Sequence, residues 1–191
     1  MKKKITAMLL AASLCLTMGV TSLAAGTNES ISVKLDCDVT VAYNGTAQGF
    51  ADNNGATVYP MNYSGTTYLP VRAVSGLLGL DISFDGTTNT VALKNGGTVA
   101  AAKAPVKGNS QTVTALMNRQ MSITYNGAAQ SFTDVNGKAV YPISYNGTTY
   151  LPVRAVSGLL NLPVSYDGKT NTVILGTAPV TPPTGGVSSN L

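Results

Sequence analysis

The sequence predicts an α+β fold in which several antiparallel β-strands pack on one short α-helix, and it predicts this unit twice in tandem. The chain repeats itself at a fixed offset of 82 residues. Each copy contains short turns of the form aromatic–Asn/Ser/Asp–Gly between segments of alternating polarity, which is typical of strands. One stretch in each copy has the apolar spacing of a helix instead.

The repeat is long and contains no insertion. Its longest shared run, 65–78, returns unchanged at 147–160, and about two-thirds of the positions between 40 and 93 match. A solenoid repeat is shorter than this, so each copy is interpreted as a small domain. The predicted segments are a first domain at 27–95, a flexible linker at 96–112, a second domain at 113–176 and a disordered Pro/Gly/Ser-rich tail at 177–191.

The turn motifs divide each copy into strands. Asn-Gly and Asp-Gly pairs, such as Asn44-Gly45 and Asp85-Gly86, favour hairpins because tight hairpin turns need positive φ angles. The strands predicted for the first copy are 31–43, 46–50, 57–63, 66–69, 80–84 and 90–94. The same pattern recurs in the second copy.

A single helix is predicted between the fourth and fifth strands. Pro70, and Pro152 in the second copy, suit the first helical turn, where a missing N–H costs nothing. The apolar residues of one helical face are Val71, Val74, Leu77 and Leu78. Gly79 ends this helix and Asn161 ends its counterpart. These two residue types adopt the left-handed conformation of a helix end most easily.

The N-terminus predicts a secreted protein. A basic start, an apolar stretch at 5–20 and small residues before Ala24 form a signal peptide at 1–24, with cleavage after Ala24 or, as the alternative, after Ala25. The apolar stretch is shorter than the roughly 20 residues that span a bilayer, so no membrane span is expected after cleavage. The expected location is extracellular or associated with the cell surface.

Charge and cysteine content narrow the expected partners. Without the leader, nine basic residues stand against eight acidic ones, which is no basis for binding nucleic acid. Cys37 is then the only cysteine. It either pairs between chains or, as we favour, is a small buried side chain on the apolar face of a strand.

The repeated motif resembles a known family. Residues 65–72, the helix end at 77–80 and the strand at 88–91 are similar to the copper amine oxidase N-terminal (stalk) domain, which is widespread in secreted proteins of Gram-positive bacteria. The resemblance implies a twisted antiparallel sheet around one helix. The chain departs from the family where Phe84 and Tyr166 replace a common Trp and Asn161 replaces Gly. The motif residues are Pro70, Arg72, Gly79 and Asp85 with Pro152, Arg154, Asn161 and Asp167.

The residue types present exclude several chemistries. The chain contains no histidine, which excludes copper amine oxidation and nucleophiles activated by histidine. Asp36 and Asp38 share a strand face and are interpreted as solvated rather than as a calcium site. The acids placed alike in both copies are Asp52, Asp85, Asp134 and Asp167, which are interpreted as turn residues. We therefore expect no enzyme activity, no cofactor and no metal.

Two side-chain types remain as candidate contacts. Arg72 and Arg154 each lie on an otherwise apolar helix, and we interpret them as structural, bonded to loop carbonyls or to Asp85 and Asp167, rather than as an anion or glycan contact. The tyrosines that could line a carbohydrate face are Tyr63, Tyr68, Tyr145 and Tyr150.

Three hypotheses for the function follow from these features. The first is a non-catalytic structural or interaction module of the cell envelope or extracellular space, acting in spacing, adhesion or assembly with other envelope proteins. The alternative is a module that binds glycan or cell-wall polysaccharide. A hydrolase with an unrecognised site is the least favoured hypothesis.

Overall fold

The computed structural model describes residues 26–177. The predicted signal peptide at 1–24 and residues 178–191 of the predicted tail lie outside the described residues. The described chain is mostly β-strand, with two short α-helices.

The two copies contain the same elements in the same order. The first copy comprises β1 Glu29–Leu35, β2 Thr40–Tyr43, β3 Thr46–Gln48, β4 Phe50–Ala51, β5 Thr57–Val58, β6 Met61–Tyr63, β7 Thr66–Pro70, α1 Val71–Leu77, β8 Leu80–Asp85 and β9 Thr90–Asn95. The second copy comprises β10 Gln111–Met117, β11 Ser122–Tyr125, β12 Ala128–Gln130, β13 Phe132–Thr133, β14 Ala139–Val140, β15 Ile143–Tyr145, β16 Thr148–Pro152, α2 Val153–Leu159, β17 Val164–Asp167 and β18 Thr172–Leu175.

The predicted strand 31–43 is wrong in one respect, because it is two strands in different sheets. The chain bends between β1 and β2, where the backbone N–H of Asp36 donates to the carbonyl of Pro60 (2.8 Å) and that of Cys37 donates to the Ser110 hydroxyl (2.9 Å). The alternation of apolar residues continues through this bend, so the pattern does not reveal it. The predicted strands 46–50 and 57–63 are each divided in the same way.

Six strands form a closed barrel that is shared by the two copies. Its order is β1-β10-β15-β16-β7-β6, so each copy contributes three strands. The longest junction pairs all seven residues of β1 with β10, from Glu29 opposite Met117 to Leu35 opposite Gln111. On the far side of the barrel, Leu69 of β7 lies opposite Leu151 of β16.

Two four-stranded sheets outside the barrel also contain strands of both copies. The hairpin β2–β3 joins the β17–β18 hairpin through a parallel pair of β2 and β18, and β11–β12 joins β8–β9 in the same way. The prediction that each repeat forms its own sheet is therefore wrong, because these sheets contain strands of both copies. A copy of this size has a small core, and cross-pairing satisfies strand edges that would otherwise be exposed.

The apolar core lies in two clusters, one inside the barrel and one between the barrel, the helices and the outer sheets. The barrel cluster is Ile31, Val33, Leu35, Met61, Tyr68, Ala115, Met117, Ile143 and Tyr150. The second cluster includes Leu69, Val74 and Leu93 of the first copy and Leu151, Val156 and Leu175 of the second. Both clusters therefore need both copies.

The helices end as the sequence predicts. Gly79, just after α1, has a φ of +66°, and Asn161, just after α2, has a φ of +52°. Pro70 and Pro152 precede the two helices directly and are both buried. The predicted C-terminal ends of the helices are confirmed, whereas the two prolines are the last residues of β7 and β16 and not, as predicted, part of the first helical turn.

The segment between β9 and β10, predicted to be a flexible linker, contacts the first copy. The backbone N–H of Gly49 donates to the carbonyl of Lys103 (2.7 Å), and that of Ala100 donates to the carbonyl of Gly76 (2.7 Å). A Cβ on Gly49 would overlap the backbone of Ala104. The second copy has Ser131 at the position equivalent to Gly49, and Ser131 is exposed.

Candidate functional site

The predicted tyrosine contacts are largely unavailable to a ligand. Tyr68 and Tyr150 are each 1% exposed and lie in the barrel core, so their prediction as glycan contacts is wrong. Burial raises the pKa of Tyr68 to about 12 and also raises that of Tyr150. Tyr63 and Tyr145 are half-buried against the same cluster. Apolar tyrosine rings on neighbouring strands signal a core as readily as a surface.

Two grooves related by the repeat offset form the candidate site. We call them the Tyr166 groove, of about 400 Å³, and the Phe84 groove, of about 460 Å³. The Tyr166 groove is lined by Arg154, Tyr166 and Asn171 of the second copy and by Asp36, Asn62 and Thr67 of the first. The Phe84 groove is lined by the equivalent residues Arg72, Phe84, Asn89, Asn118, Ser144 and Thr149. Each groove exists only because the two copies interlock.

An exposed aromatic ring lies in each groove. Phe84 is 53% exposed on β8 and Tyr166 is 57% exposed on β17. The Tyr166 hydroxyl donates to Oδ1 of Asn171 at 2.6 Å, which fixes the ring against its own hairpin. A Cβ on the turn residue Gly86 would lie 3.7 Å from the Phe84 ring, so that ring also packs beside its turn.

The two helix arginines do not form the predicted ion pairs with Asp85 and Asp167. Arg72 and Arg154 are exposed and line the grooves. Within residues 26–177, the recorded ion pairs are Lys34–Asp36 (2.9 Å) and Arg119–Glu29 (2.8 Å), and neither includes these two arginines. The predicted partners, Asp85 and Asp167, instead accept hydrogen bonds within their own turns.

One residue that lines each groove is a buried polar side chain. Asp36 is 6% exposed and accepts from the Lys34 ammonium, and Asn118 is 7% exposed and accepts from the Asn89 amide at 3.3 Å. Asp36 is therefore buried rather than solvated as predicted, while Asp38 is exposed. Among the described residues, no group of three His, Cys, Asp or Glu side chains is placed to hold a metal ion.

The turn interpretation of Asp52 and Asp134 is confirmed. Oδ1 of Asp52 accepts from the backbone N–H groups of Asn54 and Ala56, each at 2.9 Å. Asp134 accepts from the equivalent groups, those of Asn136 at 2.8 Å and Lys138 at 2.9 Å. These carboxylates hold the loops that form one wall of each groove.

Cys37 lies in the bend after β1 rather than on the apolar face of a strand. It is partly buried, and a Cβ on Gly108 would lie 3.0 Å from its Sγ. Burial, followed by the nearby carboxylates of Asp38 and Asp36, raises the pKa of the Cys37 thiol. The thiolate is thereby disfavoured.

The carboxylates of Asp85 and Asp167, the last residues of β8 and β17, are held by the turns that follow them. Asp85 accepts from the Thr88 hydroxyl and the Thr87 N–H, both at 2.8 Å, and these bonds lower its pKa. The Lys169 N–H (2.9 Å) and the Thr170 hydroxyl (2.8 Å) lower the pKa of Asp167 in the same way.

These two carboxylates are expected to make the fold less stable in acid. Because their folded pKa values lie below the unfolded ones, they stabilise the fold above the ordinary aspartate pKa, and this contribution is lost as pH falls through the lowered values. The double variant Asp85→Asn/Asp167→Asn should therefore lose less stability than the wild type between neutral pH and about pH 2. Urea unfolding at each pH measures this. Asp81→Asn on β8 is the control, and parallel curves for the double variant and the wild type would contradict the prediction.

No helix within residues 26–177 has the length and apolar character needed to cross a membrane.

Comparison with known proteins identifies the family. The model of the copper amine oxidase N-terminal domain matches residues 50–175. This one range begins at β4 of the first copy and ends at β18 of the second, so it covers part of the first copy and the whole of the second. Comparison with curated proteins and with solved structures gave no significant match. The chain belongs to the copper amine oxidase N-terminal domain family.

Proposed function

We propose that the protein is a non-catalytic module of the cell envelope or extracellular space, acting in spacing, adhesion or assembly. The observation that carries this proposal is the barrel built from three strands of each copy, which joins the repeats into one body. The N-terminal domain of copper amine oxidases is itself non-catalytic, and the leader-like sequence at 1–24 supports export.

The location can be tested by expressing the full chain in a Gram-positive host and fractionating the cells. We expect mature protein in the wall fraction or the medium, with the N-terminus generated by cleavage after Ala24. Accumulation of uncleaved chain in the cytoplasm would overturn the extracellular assignment.

Glycan binding is the second candidate function, and the exposed rings of Phe84 and Tyr166 favour it. Both lie in grooves that also contain amide, hydroxyl and guanidinium groups. A ligand site typically combines an apolar surface with a few polar groups that fix orientation.

Purified mature protein mixed with insoluble cell wall and insoluble polysaccharides provides the test. Retention in the pellet supports the glycan candidate, and recovery of all protein in the supernatant contradicts it. Soluble sugar released in the same tubes would contradict the non-catalytic assignment if the release persists through purification and falls in Asp85→Asn or Asp167→Asn.

A further inference from the structure

We propose that the Phe84 groove and the Tyr166 groove are two equivalent binding sites for an uncharged polysaccharide, with a sugar ring packed against the aromatic side chain in each. This inference rests on the glycan-binding candidate and goes further in the location, number and charge preference of the sites. It moves the contact from the barrel tyrosines to residues on β8 and β17.

The aromatic side chains are suited to a sugar ring by their exposure. More than half of each side chain is exposed, at 53% for Phe84 and 57% for Tyr166, in a fold whose other large aromatic residues pack on or in the core. The hydrogen bond from the Tyr166 hydroxyl to Asn171 restrains that ring, so it loses little side-chain entropy on binding. A pyranose presents C–H groups on its faces, and these can pack on an aromatic ring as other apolar groups do.

The polar groups around each ring are of the type that hydroxyl groups need. Amide and hydroxyl side chains line both grooves: Asn62 and Thr67 beside Tyr166, and Ser144 and Thr149 beside Phe84. Such side chains both donate and accept hydrogen bonds, as sugar hydroxyls do. Volumes of about 400 and 460 Å³ lie within the range of ligand sites, roughly 300–1,000 Å³.

The charges of the grooves favour an uncharged ligand. Each contains one exposed arginine, Arg72 or Arg154, and one turn aspartate, Asp52 or Asp134. The additional carboxylate of the Tyr166 groove, Asp36, is paired with Lys34 at 2.9 Å. Neither groove therefore presents the cluster of cations that a polyanion would require.

Two sites on one body have a consequence for affinity. Binding of the second site to the same polymer becomes intramolecular, and avidity can exceed single-site affinity by roughly 10²–10⁴. Where one polymer reaches both grooves, it should therefore retain the protein better than a short oligosaccharide does.

The test is titration calorimetry with cellohexaose and chitohexaose, together with pelleting on the corresponding insoluble polymers. For at least one sugar we expect two sites per wild-type chain, one site in Phe84→Ala or Tyr166→Ala, and affinity at least tenfold weaker in the double variant, roughly what loss of a central aromatic contact costs. Pelleting should persist in about 1 M NaCl, where the screening length is roughly 3 Å.

Matched variants distinguish the loss of an aromatic contact in a groove from a general loss of folding or of exposed apolar surface. Phe84→Tyr and Tyr166→Phe exchange the residues that the two copies already carry and should keep both sites. Val106→Ala removes an exposed apolar side chain outside both grooves and should bind like the wild type. Thermal unfolding of each variant confirms that the fold is intact.

The outcomes distinguish this inference from the function on which it rests. Wild-type retention that is unchanged in the Phe84→Ala/Tyr166→Ala variant would overturn the groove assignment and leave the glycan candidate standing. Failure of the wild type to bind any of these sugars and polymers, and also the insoluble cell wall, would overturn both. Retention lost in high salt would overturn the preference for an uncharged ligand.

Discussion

Replacing Leu151 by alanine is expected to lower the free energy of unfolding by about 2–5 kcal/mol. Leu151 is fully buried on β16, opposite Leu69 of β7, at a barrel junction between the two copies. Truncation leaves a cavity in the second core cluster, between the barrel, the helices and the outer sheets, where residues of both copies line it. Urea unfolding followed by tyrosine fluorescence measures the loss.

The same experiment tests whether the chain unfolds as one unit. Because both core clusters contain residues of both copies, we expect one cooperative transition in the wild type and in Leu151→Ala. Leu116→Ala is the matched control, since Leu116 lies on barrel strand β10 but is 37% exposed, and it should change stability by about 0.5 kcal/mol or less. Two transitions, only one of them shifted by Leu151→Ala, would show that the copies unfold independently.

Gly49→Ala is the second change with a large expected effect, a destabilisation of about 1–3 kcal/mol. The added Cβ would overlap the Ala104 backbone and crowd Pro105, and neither can rotate away as the end of a flexible side chain would. The segment at 96–110 should then lift from the first copy and lose the hydrogen bond between Gly49 and Lys103. Limited proteolysis should show faster cleavage within that segment.

The repeat supplies the control for this prediction. Ser131 is the equivalent residue of the second copy, and it is exposed. Ser131→Ala should therefore leave both stability and cleavage rate nearly unchanged. If Gly49→Ala and Ser131→Ala changed stability and cleavage rate equally, contact with the segment 96–110 would not be the reason that position 49 requires glycine.

Local features of the fold could be predicted because a few neighbouring residues determine them. The turns after β2, β11 and β15 contain Asn44, Asn126 and Asn146, and all three have the positive φ angles that their Asn-Gly motifs predict. The same prediction is wrong for the Asp-Gly pairs after β8 and β17, where the positive φ angles lie at Asn89 and Asn171 instead. The helix ends at Gly79 and Asn161 follow from the same conformational preference. In each case the deciding interaction lies within a few residues of chain.

The pairing of strands between copies could not be predicted in this way. An apolar alternation shows that a strand has a buried face but does not identify its neighbour, and here the two copies offer nearly identical partners. β2 pairs with β18 and β11 pairs with β9, across the repeat boundary in both cases.

The two grooves could not be predicted from the sequence either, because they depend on the same pairing between copies. Tyr68 and Tyr150 are buried because the barrel closes over them, whereas Phe84 and Tyr166 lie in grooves whose opposite walls come from the other copy. The sequence did contain one signal, since Phe84 and Tyr166 occupy a position where the family commonly has another large aromatic residue. An aromatic residue kept at a hairpin end, next to a turn, is a candidate for exposure.

The shared barrel also has a consequence for a chain cut in the segment 96–110. Seven residues of β1 remain paired with β10, and the parallel pairs of the outer sheets remain, so the two fragments would stay associated through non-covalent contacts alone. The two copies thus associate through strand pairing as the subunits of a heterodimer do, and the segment 96–110 links them covalently. Fragment complementation, in which separately made halves reassemble, is the natural behaviour of such an architecture.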